Sequence, residues 1–301
     1  FPLVLNAFGG WNDTLYGLPF DNYSGLMFYN KQMLADAGFD SPPATWDELK
    51  DVYGPALTKD GKYAYALQSK RNETQSADSF ARMLWPFGGS FLDAEFRSNL
   101  NSNESQAGLK FRQDLMQYMP DGIVAYDHAE TVNAFSQGDV AIITEWSAFY
   151  STVVNPDTSK VAADVGIAPE PMGPAGRKPA LGGFSLAVAD QADDDEKAAA
   201  WLFIQWATSK ANAGEYLERG GVPARQSAYA DPSLAEIYTF IPALVESWQE
   251  GVPEFRPRFA EWPEITEIVQ EWGTKMMLGE VTTEDGAMEI GTRMEDVLAD
   301  A

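Results

Sequence analysis

Apolar residues along this chain fall into short blocks separated by glycine, proline and charge. Residues 15–20 and 25–30 form two such blocks and predict two short strands, with glycine and polar residues interrupting at 20–25. Asn30 opens a short helix that stops at Gly38, and Thr45 with Glu48 three residues on forms a capping box for the next. Alternation predicts a strand at 61–67. Helical periodicity follows at 76–87, ended by Gly88-Gly89, at 102–118, and at 131–136, closed by Gly138. Further strands are predicted at 140–145, 165–169 and 182–188. Helices are predicted at 195–208, 210–219, 232–249, 261–278 and 283–300. Phe80, Trp85, Trp201, Phe203, Trp206 and Trp272 lie at helical spacing on apolar faces and read as core. Residues 1–12 are apolar and glycine-punctuated, with no opening cap.

Short strands alternating with helices, followed by a helical tail, predict an α/β protein with open sheets rather than a barrel. Two points read as crossings between lobes: residues 20–25, and 181–184, where Gly182-Gly183 enters a strand. Two lobes joined by several strands leave a cleft between them, the usual place for a small ligand.

Charge narrows the partners. The 45 acidic and 21 basic residues give a formal net charge of −24. Such a surface repels phosphate backbones and anionic lipid, which argues against nucleic acid as a partner. The acidic run 193–196 complements the start of the helix it precedes and needs no ligand to explain it. With no cysteine there is no disulfide framework, thiolate metal site or cysteine nucleophile. No apolar run approaches the ~20 residues of a membrane span.

A set of blocks now stands in order. Tyr16-Gly17-Leu18-Pro19-Phe20-Asp21 leads to Leu26-Met27-Phe28-Tyr29-Asn30-Lys31 and to Pro42-Pro43-Ala44-Thr45-Trp46-Asp47-Glu48-Leu49. Trp85 to Gly89 follows, then Ala134-Phe135-Ser136-Gln137-Gly138-Asp139-Val140-Ala141 with Trp146. Gly182-Gly183, residues 199–208 and Gly221-Val222-Pro223-Ala224-Arg225 complete the set. This pattern resembles the family-1 extracellular solute-binding proteins, which include maltose-binding and related sugar and polyol receptors, over essentially the whole chain.

The resemblance implies a periplasmic-binding-protein-like α/β fold of two lobes with open sheets, joined by a hinge around a central cleft. It places residues 1–22 and 184–230 in the first lobe and 23–183 and 231–301 in the second. It implies a monomer that binds a sugar, polyol or glycoside and delivers it to the permease subunits of an ABC importer, in the periplasm or lipid-anchored outside the cell. Members begin with a further βαβα segment, so the expectation is a chain lacking that segment and part of the pocket wall.

Sugar sites combine flat aromatic faces with forked polar groups that meet vicinal hydroxyls. By the resemblance, Asp21, Asn22 and Tyr23 face the cleft at the first crossing, and Trp146 sits at a stacking position with Glu145 beside it. Arg71, Glu73 and Gln75 lie in a loop dense in forked polar groups, which reads equally as a solvated loop. Gly183 and Phe184 mark the second crossing, with Phe184 either a ring cover or core. Arg225, Arg256 and Trp262 are further candidates, and Trp262 reads equally as packing for the tail. No metal or cofactor is implied.

Catalysis has little to stand on. His128 is the sole histidine, and there is no His-Glu-x-x-His, no Gly-x-Ser-x-Gly elbow and no phosphate loop. A carbohydrate-active enzyme with two carboxylates, or a solute sensor feeding a receptor, are the other readings.

Overall fold

A computed structural model describes residues 1–71 and 74–300, and the side chains of all these except 74 and 75. The chain opens with α1 (Pro2–Gly9), started by a proline in its first turn. A hairpin of β1 (Gly10–Trp11) and β2 (Thr14–Leu15) follows. It turns on Asn12 and Asp13, both with positive φ, the geometry a two-residue hairpin loop demands.

The two strands predicted around residue 22 are one 13-residue strand, β3 (Leu18–Asn30), which changes partners midway. Up to Ser24 it pairs antiparallel with β7 (Leu181–Leu186), with a bulge between Pro19 and Asp21. From Gly25 onward it lies between β5 (Val140–Trp146) and β6 (Val165–Pro169), antiparallel to both. β4 (Tyr63–Ala66) adds parallel to β5, giving the order β4-β5-β3-β6. The switch follows from sequence: polar and apolar residues mix up to Ser24, whereas Leu26, Met27 and Phe28 are buried on both faces, as a central strand covered by helices requires.

The helices between these strands are α2 (Lys31–Asp36), α3 (Trp46–Glu48), α4 (Gly54–Leu57), α5 (Thr74–Ala81), α6 (Asn103–Leu115), α7 (His128–Ser136) and α8 (Tyr150–Val153). Thr45 and Glu48 make the capping box read from sequence. α7 starts three residues earlier than its apolar periodicity indicates, because Asp127 and Glu130 form a second box. After β7 come α9 (Asp194–Ala207), α10 (Lys210–Glu218), α11 (Leu234–Ile237), α12 (Ile241–Glu250), α13 (Trp262–Met277) and α14 (Thr283–Ala299). The single helix expected at 232–249 is broken between α11 and α12. Pro242 suits the first turn of a new helix and not the interior of a continuing one.

Two apolar clusters hold these elements. One surrounds the four-stranded sheet with Phe28, Trp46, Tyr65, Phe135 and Ile142. The other joins Phe80, Leu84, Phe91, Trp146, Phe255, Ile265 and Ile290 from α5 and the segment after it, β5 and the helical tail. Phe80 is core as expected, and Trp85 and Trp272 are half-buried against the second cluster. Trp201, Phe203 and Trp206 are not core: with Leu202 they stand 47–65% exposed. Periodicity reports an apolar stripe but not what covers it, and on α9 only Ile204 and Ala207 are buried.

Candidate functional site

At the partner switch of β3, Asp21 and Tyr23 point to one side of the strand and Asn22 to the other. The Asp21 carboxylate accepts the Val222 N–H at 2.9 Å and the hydroxyl of Tyr23. Tyr216 bonds to Asp21 as well; burial first, and then that carboxylate, push its hydroxyl up to about 12. Tyr23 is likewise raised by burial and by Asp21. Asp21 thus clasps β3 to the segment at 222 and to α10. Asn22 is fully buried, and both its amide atoms lack a hydrogen-bond partner among the described residues. Its register partner Gly183 has φ +139°, a conformation that favours glycine, and a Cβ there would strike the Asn22 backbone and amide. Phe184 is 66% exposed and meets Tyr23 edge to face at 6.3 Å.

One residue further along the sheet, the Trp146 ring lies against Gly182, where a Cβ would approach it to 2.8 Å. Trp146 is only 7% exposed. Two guanidinium groups, Arg82 and Arg256, each stand 5.7 Å from its ring. Each arginine carries its own acid. Arg82, 1% exposed, donates to Glu170 at 2.7 Å. Arg256 makes a two-pronged pair with Asp78, one prong at 2.6 Å. Burial lowers the pKa of both arginines, but the carboxylates outweigh it and both end above their ordinary value. Glu170 is raised, because burial exceeds the pull of Arg82. Gly25 makes room for this pair: a Cβ there would overlap the Glu170 carboxylate and stand 2.7 Å from its carbon.

Behind Trp146 the fully buried Glu145 binds three groups: its Oε1 accepts the Trp146 N–H at 2.8 Å, and its Oε2 meets Gln68 Nε2 and His128 Nδ1. The Gln68 amide oxygen accepts from Ser79 at 3.2 Å and from Arg82 at 3.4 Å, closing a ring of polar contacts around the indole. His128 lies over Phe149 with centroids 5.0 Å apart. Burial pulls its pKa down, but the bond and charge of Glu145 and the charge of Asp127 more than offset that and leave it raised.

Of the residues read from sequence, the structure therefore gathers Asp21, Asn22, Tyr23, Glu145, Trp146, Gly183, Phe184 and Arg256. Trp262 joins the same apolar cluster but faces Phe91 and Phe259. Arg71 is exposed and pairs with Glu271 on α13 at 3.1 Å. Arg225 is elsewhere: its Nε donates to Thr208 at 2.8 Å, and it lines a hollow of about 810 Å³ with Phe1, Leu5 and Leu18. Glu73 and the Gln75 side chain lie outside the described residues. Asp78, Arg82, Gln68, Glu170 and His128 were missed. Asp78, Arg82 and Trp85 recur at helical spacing beside an apolar stripe, and charges in that position were the available signal. Among the described residues, no cluster of three or more His, Cys, Asp or Glu could hold a metal, and no helix is long and apolar enough to cross a membrane.

The family described as bacterial extracellular solute-binding protein matches residues 1–239. A probable amino-acid ABC transporter periplasmic-binding protein of Sinorhizobium fredii is 30% identical over 260 residues, 84% of this chain and 58% of that one. The chain spans 52–63% of the length of the curated relatives it matches. Among solved structures, an ABC transporter solute-binding protein from Agrobacterium radiobacter K84 in complex with ribitol superposes with a TM-score of 0.87. It is 27% identical, over 98% of this chain and 75% of that one. Maltose-bound MalE3 of T. maritima superposes with a TM-score of 0.86, at 28% identity and the same coverages. The α/β fold is thus periplasmic-binding-protein-like.

Proposed function

The chain belongs to the bacterial extracellular solute-binding proteins, and we propose that it binds an uncharged sugar or polyol outside the cytoplasmic membrane and presents it to an ABC importer permease. In this reading residues 1–22 with 184–230 contribute to one lobe and 23–183 with 231–301 to the other, and the strands at Ser24–Gly25 and Gly182–Gly183 are the hinge. The ligand meets Phe184, Tyr23 and Arg256, with Trp146 packed beneath them. No step of turnover is part of this mechanism; ligand does work only by favouring the closed arrangement over the open one.

The observation that carries the reading is the pairing of each arginine on the Trp146 ring with its own carboxylate. Such pairs offer donors and acceptors together with little net charge, which suits hydroxyl groups better than a phosphate or an ammonium. The ribitol and maltose complexes of structural neighbours support a hydroxylated ligand; the amino-acid name of the Sinorhizobium relative is the competing indication.

A thermal-shift screen against ribitol, mannitol, maltose, glycerol 3-phosphate and a set of amino acids tests it. A true ligand at a hundred times its Kd adds about 2.7 kcal/mol of stability. A shift with a neutral polyol or sugar, recovered unchanged afterwards, is the expected result. A shift confined to the phosphate or the amino acids would overturn the proposed class, and consumption of the compound would overturn the binding-protein reading itself.

A further inference from the structure

His128 is the only histidine of the chain, and it stands where solvent reaches the polar ring around Trp146. Its side chain is 19% exposed, whereas Glu145, Gln68 and Arg82 are at most 2% exposed. Its Nδ1 lies 2.8 Å from Glu145 Oε2, the same oxygen that Gln68 Nε2 reaches. The other Glu145 oxygen holds the backbone N–H of Trp146 itself. Gln68 passes the connection to Arg82, whose guanidinium stands by the Trp146 ring. Trp146 is thus held at its backbone by Glu145 and flanked at its ring by Arg82, with Gln68 bridging the two.

We propose that His128 is a positioning residue for Trp146, and that gain or loss of the imidazole proton, relayed by Glu145, Gln68 and Arg82, resets the seating of the indole in the ligand site. The charged groups facing the imidazole are Glu145 from β5, Asp127 from the cap of α7 and Arg82 from the segment after α5, with Lys70 3.6 Å beyond Asp127. When the imidazole is cationic, two carboxylates face two cations and Glu145 divides its charge between His128 and Gln68. When it is neutral, Nδ1–H can still donate, but Glu145 loses its facing cation and keeps only neutral donors and the more distant charge of Arg82, which is itself paired with Glu170. Arg82 is then drawn toward Gln68 and Glu145 and away from the ring. The consequence for ligand binding rests on the placement of Trp146 in the site, but the relay itself does not.

The test uses the ligand-free protein, so that its failure is separate from failure of the ligand screen. With one histidine, the imidazole signal in a ¹H–¹³C NMR pH titration belongs to His128, and the Trp146 indole N–H signal is the one missing from Trp146→Phe. The expected result is a His128 midpoint above that of a free histidine and a Trp146 signal that moves with the same midpoint. In His128→Gln the Trp146 signal should become independent of pH over that range. In Glu145→Gln the His128 midpoint should fall, and should that variant not fold, the His128→Gln arm decides alone. A Trp146 signal that ignores the His128 titration, or one that still titrates in His128→Gln, would overturn the proposal.

Discussion

Replacing Glu170 by methionine should be among the most damaging changes available on the Trp146 side of the site, and a second methionine should repair it. Glu170 and Arg82 are both 1% exposed and joined at 2.7 Å, on elements 88 residues apart in sequence. Neither ion has water to fall back on. Removing one partner of such a pair costs about 3–5 kcal/mol, because the remaining charge stays buried. Here, among the described residues, Arg82 would keep the long bond to Gln68 and the Trp146 ring. Changing both residues to methionine removes the stranded charge and keeps similar volume, so Glu170→Met with Arg82→Met should lie within about 1 kcal/mol of wild type. Gln68 retains Ser79 as a donor in the double variant. The assay is urea unfolding followed by circular dichroism and tryptophan fluorescence, which must coincide before a two-state free energy is taken. A single variant losing less than about 1 kcal/mol would refute the claim that this charge is confined. A double variant as damaged as the single would show that Arg82 fails for reasons other than loss of its acid.

Gly25→Ala should destabilise through the same pair, by about 1–3 kcal/mol, since its Cβ overlaps the Glu170 carboxylate; chemical denaturation reads it directly. Arg112 is 4% exposed and in no ion pair among the described residues. Among those residues its hydrogen bonds go to the Gly273 carbonyl and the Met277 sulfur, it stands 5.8 Å from the Phe80 ring, and burial depresses its pKa to about 10. Arg112→Met should therefore leave stability equal or raise it, by up to about 2 kcal/mol, and a lower melting temperature would show that those bonds outweigh desolvation. Asp193→Ala removes the α9 capping box and should cost about 1 kcal/mol in the same unfolding assay. Because His128 is held above its ordinary value, its protonation stabilises the fold. That contribution is complete below the unfolded value of about 6.5 and is lost as pH rises through the folded-state value, so stability should decline over that window in wild type and not in His128→Gln.

The fold was legible where sequence carries local instructions. Thr45 with Glu48, Gly88 after the helical turn and the uninterrupted block 140–146 each state an element and its end. The switch of β3 was visible as a composition change at Ser24–Gly25, although it was read as a break between strands. A strand that changes partners keeps its own hydrogen-bonding geometry, and sequence shows only the change in what surrounds it. The aromatic face on α9 failed for a related reason: Trp201, Phe203 and Trp206 obey helical spacing whether or not anything covers them.

The candidate site could be proposed from sequence in its aromatic half and not in its ionic half. Tyr23, Gly183 and Phe184 lie within β3 and β7 beside the partner switch, and Trp146 ends β5 next to it. Their neighbours Asp78, Arg82 and Glu170 look in sequence like any charges of a chain that has 66 of them, because their meaning depends on partners 88 and 178 residues away. Charge pairing at that distance cannot be read from periodicity. It can be read from burial, since an arginine at 1% exposure must have an acid, and the acid found for Arg82 sits behind the one glycine, Gly25, that leaves it room. That three-residue dependence is what makes the ionic half a designed feature of the Trp146 surface rather than an accident of an acidic chain. It is also why the ligand proposed for this surface carries hydroxyls and not charge: both arginines on the indole are already answered.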